Sequence, residues 1–314
     1  MALSFTMPRR SAVLAGAAVA LSPPQRTPAS SPPTPTITLA DGTNLPCATF
    51  GVQIYDDRTA RELTLRAISA GFRSFFTSPE GGNQRGFSQG VLESGIPRSE
   101  LFIAGTVLSD DAVGFRTAKA TTARRCEASF EALASGGGVD KLDMLLLERP
   151  GLDGASIRGQ WNALEAAQAT GAAQSLGVCN FEVEQLDECL KGARTAKPQL
   201  NQLQYTLAIR MAHESVRRAH LDRGVRLMAF SPLGGPSALI PRATLDECKR
   251  IGKRYRKSPY QVALRWLVQQ GVAYSVHSRD VAHLREDLDV YGFALAPEEM
   301  RRLEVLSESA PAYY

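Results

Sequence analysis

DDRTARELTLRAISAGFRSFFT, residues 56–77, sets the reading of the whole chain. Leu63, Leu65, Ile68 and Ala70 recur at helical spacing, and Gly71 closes the run. Glycine is the usual residue where a helix ends in the left-handed conformation. FRSFFT (72–77) follows at once, short, with the apolar pair Phe75-Phe76 near its end and no strict polar alternation. A strand of that kind suits a sheet buried on both faces, which is how parallel sheets are built.

The same grammar repeats along the chain. Strand candidates are CATFGVQ (47–53), FRSFFT, LFIAGTVL (101–108), LDMLLLE (142–148), AAQSLGV (172–178), QLNQLQY (199–205), VRLMAF (225–230) and VAYSVH (272–277). Helical stretches separate them, starting at Gly86, Ala120, Ile157, Glu182, His213, Leu245 and Val281, and a last one opens at Ala296. Eight strands, each followed by a helix, imply right-handed crossovers and a closed α/β barrel, the (β/α)8 TIM barrel. An open doubly wound sheet is the alternative, but no G-x-G-x-x-G follows any strand. TITLADGTNLPC (36–47) pairs two extended runs around Asp41-Gly42, a hairpin signal ahead of the barrel.

Residues 1–35 read differently, as a targeting or disordered segment ahead of a barrel over 36–314. Arg9-Arg10 precede the eleven-residue apolar run Ser11–Leu21, too short for the roughly 20 residues a membrane helix needs. A Pro- and Ser-rich stretch follows, unable to pack a core. The pattern is that of a twin-arginine-like export signal, and a Ser-rich, acid-poor opening also suits a plastid transit peptide. Together they give a thylakoid-lumen route in a chloroplast; a bacterial periplasm is the alternative. Of the net charge of +4, the three arginines of residues 1–40 supply +3. The nearly neutral remainder offers nothing for nucleic acid to grip, and it holds no further membrane span. The five cysteines show no C-x-x-C pair, which argues for free thiols and against a zinc or redox motif.

The order of these units, with ESGIPRSELFIA (93–104), LDMLLLERP (142–150), GVCNF (177–181), NQLQY (201–205), MAFSPLGG (228–235) and KSPYQVALRWLVQQGV (257–272), resembles the aldo-keto reductase family. The likeness runs from about Ile37 to Leu306. It implies a hairpin plugging the bottom of the barrel, chemistry at the C-terminal ends of the strands, and nicotinamide hydride transfer to a carbonyl. In that family a tyrosine, its acidity raised by a lysine paired with an aspartate, gives the proton, and a histidine orients the carbonyl.

The family reads roughly GYRHIDTAxxYGNE where this chain has GFRSFFTSPEGGNQ (71–84). Thr77, Gly82 and Asn83 hold the register. The resemblance then puts Phe76 at the aspartate position, Gly81 at the tyrosine, Thr106 at the lysine and Glu148 at the histidine. All four are replaced, so the expectation is a pseudoenzyme or an impaired oxidoreductase. Glu148 is the one candidate catalytic residue, because steroid double-bond reductases of the family carry a Glu there. A carboxyl in an apolar pocket holds its proton toward neutral pH. The bland alternative is a solvated carboxylate, or one paired with Arg149.

The likeness also carries over a nucleotide pocket. Cys179, Asn180 and Gln202 fall where the family holds the carboxamide, and Phe230 where a ring stacks on nicotinamide. Ser231, Leu233 and Gly234 lie on the loop that passes the pyrophosphate. At the 2′-phosphate clamp the family's lysine and arginine become His277 and His283, with Ser278 between them as a helix cap. Neutral imidazoles grip a phosphate less well than those cations, so NADP or NAD is the expected cofactor, with weakened selectivity. The alternative is that Asn180 and Gln202 only bond neighbouring loops. A small carbonyl compound is the implied substrate, and a binding or assembly role leaves room for a protein partner.

Overall fold

The computed structural model describes residues 34–52, 54–209, 213–235 and 238–308. Residues 1–33, which hold nearly all of the segment read above as a targeting sequence, and the terminal Tyr313-Tyr314 fall outside them. Eight parallel strands close into a barrel: β1 (Ala48–Gly51), β2 (Ser74–Thr77), β3 (Phe102–Val107), β4 (Leu142–Leu147), β5 (Ala173–Cys179), β6 (Leu200–Gln204), β7 (Arg226–Phe230) and β8 (Ala273–Val276). β8 pairs with β1 to complete the ring. Every expected strand is present, several trimmed by a residue or two at the ends.

Among the described residues ten helices cover the ring: α1 (Asp57–Ala70), α2 (Gln84–Glu93), α3 (Phe115–Ser135), α4 (Gly154–Ala169), α5 (Val183–Gly192), α6 (His213–Leu221), α7 (Arg242–Tyr255), α8 (Pro259–Gln269), α9 (Val281–Leu288) and α10 (Pro297–Glu308). In α1, Asp56 caps the first turn by accepting from Thr59 N, and Gly71 ends the helix at φ 117°, where a side chain would be strained. α1 buries Leu63, Ile68 and Ala70, while Leu65 stays half-buried at its margin. Gly86 of α2 lies so close to α1 that a Cβ would stand 1.9 Å from the Asp57 carbonyl oxygen.

α3 begins five residues before the expected Ala120. α8 is absent from the sequence-based set of helices. It starts with a capping box: Gln261 N donates to Ser258 Oγ, and Ser258 N to Gln261 Oε1.

Two apolar layers result. The larger lies between sheet and helices, with Phe50, Phe75, Trp161 and Trp266 fully buried. The smaller fills the barrel with Leu39, Leu45, Phe76, Ala104, Met144, Leu146, Cys179, Leu200 and Met228. Leu39 and Leu45 come from the antiparallel hairpin Thr36–Thr38 and Asn44–Pro46, which plugs the bottom. Asp41 in its turn accepts from Thr43 N (2.9 Å) and Ser175 Oγ (2.6 Å), and its own amide donates to Gln199 Oε1 (3.0 Å). All five cysteines are free and buried. No helix among the described residues is long and apolar enough to cross a membrane.

Candidate active site at the barrel mouth

Side chains alternate along a strand, so Phe76 and Ser78 at the end of β2 share the inward face. Phe76 joins the barrel interior and meets Ala104 across the β2–β3 register. Ser78 heads a 3-10 turn, Pro79–Gly81, and its Oγ accepts from Glu80 N at 3.2 Å. Two residues beyond Ala104, Thr106 also faces inward and is fully buried.

Glu148, the first residue after β4, is 9% exposed. Its Oε2 accepts from Ser78 Oγ at 2.8 Å and from Thr106 Oγ1 at 2.5 Å. Among the described residues Oε1 has no partner of its own. Burial pushes the carboxyl above its usual range, and the two hydroxyls pull it part of the way back. Glu148 is therefore neither solvated nor paired with Arg149. That guanidinium turns to the rim, 3.4 Å from Glu80 and 3.8 Å from Asp110. Gly81, which the resemblance puts at the tyrosine position, lies in that turn and offers no side chain. Among the described tyrosines, Tyr205 and Tyr274 lie in the layer outside the barrel. Tyr55 sits on the loop after β1 beside His277.

A second group adjoins Glu148. Asn180, after β5, has left-handed backbone (φ 60°), and its Nδ2 donates to the Glu148 carbonyl at 3.1 Å. Cys179 Sγ donates to Gln202 Oε1 at 3.4 Å, and burial pushes that thiol well up. Gln202 Nε2 is buried and has no partner among the described residues. On the far wall Phe230 ends β7 and is half-buried. Ser231 is also left-handed (φ 46°), and its carbonyl accepts from Gly234 N across Leu233.

The residues of the expected phosphate clamp form a separate cluster. His277 packs edge-on to Tyr55, ring centres 6.2 Å apart, and the Arg279 guanidinium lies 5.4 Å from that ring centre. Asp280, not Ser278, caps α9, accepting from Ala282 N at 2.7 Å. Ser278 Oγ instead accepts from Asp280 N at 3.0 Å. His283 is exposed, 3.9 Å from Asp280. The start of α9 is thus capped by a carboxylate and not by the Ser278 hydroxyl.

Sequence reasoning missed Ser78, whose hydroxyl completes the Glu148 cage. It also missed two buried amides that fasten the loops. Gln160 of α4 accepts from Gly151 N (2.8 Å) and donates to the Ser109 carbonyl (3.0 Å). Asn201 donates to the Phe181 carbonyl (2.8 Å). For Asn201 the signal was at hand: it stands beside Gln202 on β6 and, by alternation, must face the helices.

A family model described as "Aldo/keto reductase family" matches residues 47–308. The chain belongs to the aldo/keto reductase family. Among curated relatives, a glyoxal reductase of Bacillus subtilis is 32% identical over 87% of this chain and 93% of its own. A crystal structure of an aldo/keto reductase from Brucella melitensis superposes with a TM-score of 0.75 at 27% identity, covering 87% of this chain and 99% of the other. The Bombyx mori aldo-keto reductase, solved in complex with NADP, gives a TM-score of 0.76 at 24% identity, covering 88% and 94%. At that identity the likeness speaks for the fold alone. In barrels of this kind chemistry resides at the mouth, where Glu148, Asn180 and Gln202 meet here.

Proposed function

We propose that this chain is a nicotinamide-nucleotide-binding member of the family without ordinary carbonyl reductase activity. One arrangement carries the reading: Thr106, at the family's lysine position, spends its hydroxyl on Glu148, while Phe76 and Gly81 supply neither charge nor proton. The phenol, ammonium and carboxylate that would hand a proton to a nascent alkoxide are replaced together.

The nucleotide half of the reading is supported by the unpartnered Gln202 Nε2, a donor suited to a carboxamide oxygen. Asn180 and Phe230 would hold the rest of the nicotinamide, with the Ser231–Gly234 loop along the pyrophosphate. A bound nicotinamide would supply hydride, and Asn180, Gln202 and Phe230 would orient it. With His277 and His283 in place of the family's lysine and arginine and the Asp280 carboxylate at the start of α9, only Arg279 beside the Tyr55–His277 pair and Arg285 on α9 are left to compensate toward a 2′-phosphate. NADPH and NADH are expected to bind within about tenfold of each other.

A second reading rests on the same carboxyl. Among the described residues Glu148 Oε1 has no partner, and burial favours the protonated form, so it can hold a proton toward a substrate oxygen while Ser78 and Thr106 fix the other oxygen. Titration of the purified protein with NADPH and NADH, followed by nucleotide fluorescence and then by carbonyl-dependent oxidation, separates the readings. Binding without turnover is the expected result. Turnover abolished by Glu148→Gln establishes the second reading, and failure to bind either nucleotide removes both. The leader carries a further proposal, export to a thylakoid lumen or periplasm, to be checked with a fluorescent fusion of residues 1–35.

A further inference from the structure

Outside the barrel wall, behind the Asn180 loop, three buried side chains form a chain of hydrogen bonds. Asn201 is fully buried on the helix-facing side of β6. Its Nδ2 donates to the Phe181 carbonyl at 2.8 Å, and its Oδ1 lies 3.5 Å from Phe181 N. The amide therefore grips both backbone groups of the residue that follows left-handed Asn180. The same Nδ2 donates to Nε2 of His220, 2.9 Å away on α6, because His220 Nδ1 already donates to the Val216 carbonyl at 2.7 Å. One nitrogen must carry the hydrogen and the other must accept, so the neutral Nδ1–H tautomer alone satisfies both bonds.

We propose that His220 is a positioning residue: through Asn201 it holds the Asn180–Phe181 loop in its left-handed turn, and protonating its imidazole releases that loop. A protonated ring has no lone pair for Asn201 Nδ2, and the two N–H groups then face each other. Asn180 in turn donates to the Glu148 carbonyl, so release loosens the backbone beneath the candidate acid. Burial holds His220 below the ordinary imidazole value, with the Val216 carbonyl raising it and the nearby Arg223 lowering it. Among the described residues Arg223, just beyond α6, is the one charged group that acts on His220; it clamps Asp187 of α5 at 2.6 Å, and the β6 neighbour is the neutral Asn201 amide. Release therefore belongs to mildly acid conditions, below about pH 6.5. That a nucleotide feels the loop rests on the proposed function; the brace itself does not.

Hydrogen–deuterium exchange over residues 177–183, corrected for the intrinsic effect of pH, tests the brace in the nucleotide-free protein. In the wild type, protection should fall about tenfold between roughly pH 7.5 and pH 5. His220→Gln keeps an acceptor toward Asn201 but does not titrate, and should hold protection constant across that range. Asn201→Ala should lose protection at every pH. Imidazole nitrogen NMR of the wild type needs no variant and should show hydrogen on Nδ1 at neutral pH. Hydrogen on Nε2 instead, or an acid-induced loss that persists in His220→Gln, overturns the proposal. A parallel NADPH titration keeps the two claims apart: exchange that responds to pH in a protein that binds no nucleotide sustains the brace and removes the nucleotide reading.

Discussion

The two ends of the barrel handle polarity in opposite ways. At the bottom, the hairpin inserts Leu39 and Leu45, and the polar groups of the Asp41 turn find partners on β5 and beside β6. At the mouth, Asn180 and Ser231 hold left-handed backbone without being glycine, Gln202 keeps an unpartnered donor, and Glu148 is a buried carboxyl. The bottom is built for stability. The mouth retains backbone strain and unmet hydrogen-bonding capacity, which folded proteins tolerate where a ligand is to be held.

Restoring the family's charges tests that contrast most severely. Phe76→Asp removes a buried ring and leaves a carboxylate among Ala104, Met144 and Leu146 with no cation to meet it. The expected loss is about 4 kcal/mol, read as a fall in the urea midpoint. Adding Thr106→Lys to the same chain should return more than about 1 kcal/mol of it, since the two strands lie side by side. A double variant no better than the sum of its parts would mean that this mouth cannot re-form the ion pair. Leu45→Ala at the bottom serves as the control, with a cost of about 3 kcal/mol and no change in nucleotide affinity.

Glu148→Gln probes the mouth alone, at a scale on the order of 1 kcal/mol, that of one buried polar group. A carboxyl whose folded pKa is raised binds more protons folded than unfolded above the ordinary glutamate value. Its contribution to stability is full below that value and is lost as pH rises through the folded pKa. The wild type should therefore lose stability relative to Glu148→Gln from about pH 4.5 upward, until the carboxyl is fully ionised. Asp287, pushed up to about 7 by burial, gives a slope of the same sign, so only the difference between the two proteins isolates Glu148. Parallel curves across that range would show that the hydroxyl cage cancels the cost of burial.

The eight strands were legible because each is a compact apolar run between helical stretches, and a sheet covered on both faces leaves no other way to write them. α8 was missed although Gln261, Arg265 and Gln269 recur every four residues beside the buried Val262, Ala263, Leu264, Trp266 and Leu267; the apolar run between them reads equally as a strand. The Ser258-Pro259 start with Gln261 three residues on was the available clue. The proposed replacements at the mouth rest on register against a resembling family and on no pattern in the chain itself. Ser78 bonding Glu148 across 70 residues was not legible, since no local pattern encodes a contact made by closing the barrel. At α9 two residues of capping type stand two apart, and chemistry alone does not choose between Ser278 and Asp280.

The smallest expected effect comes from relieving strain. Ser231 sits at φ 46°, where a Cβ is disfavoured. Its side chain makes no hydrogen bond among the described residues, so Ser231→Gly deletes no polar contact. Glycine regains the left-handed penalty but gives back part of it through the greater freedom of the unfolded chain. A net gain of about 0.5 kcal/mol is expected in urea unfolding. Nucleotide affinity should fall slightly, because a glycine loop must be ordered on binding where serine is already set. A gain in stability with unchanged affinity would mean that the strain at the mouth is incidental to ligand binding, and the contrast with the bottom would then rest on Gln202 and Glu148 alone.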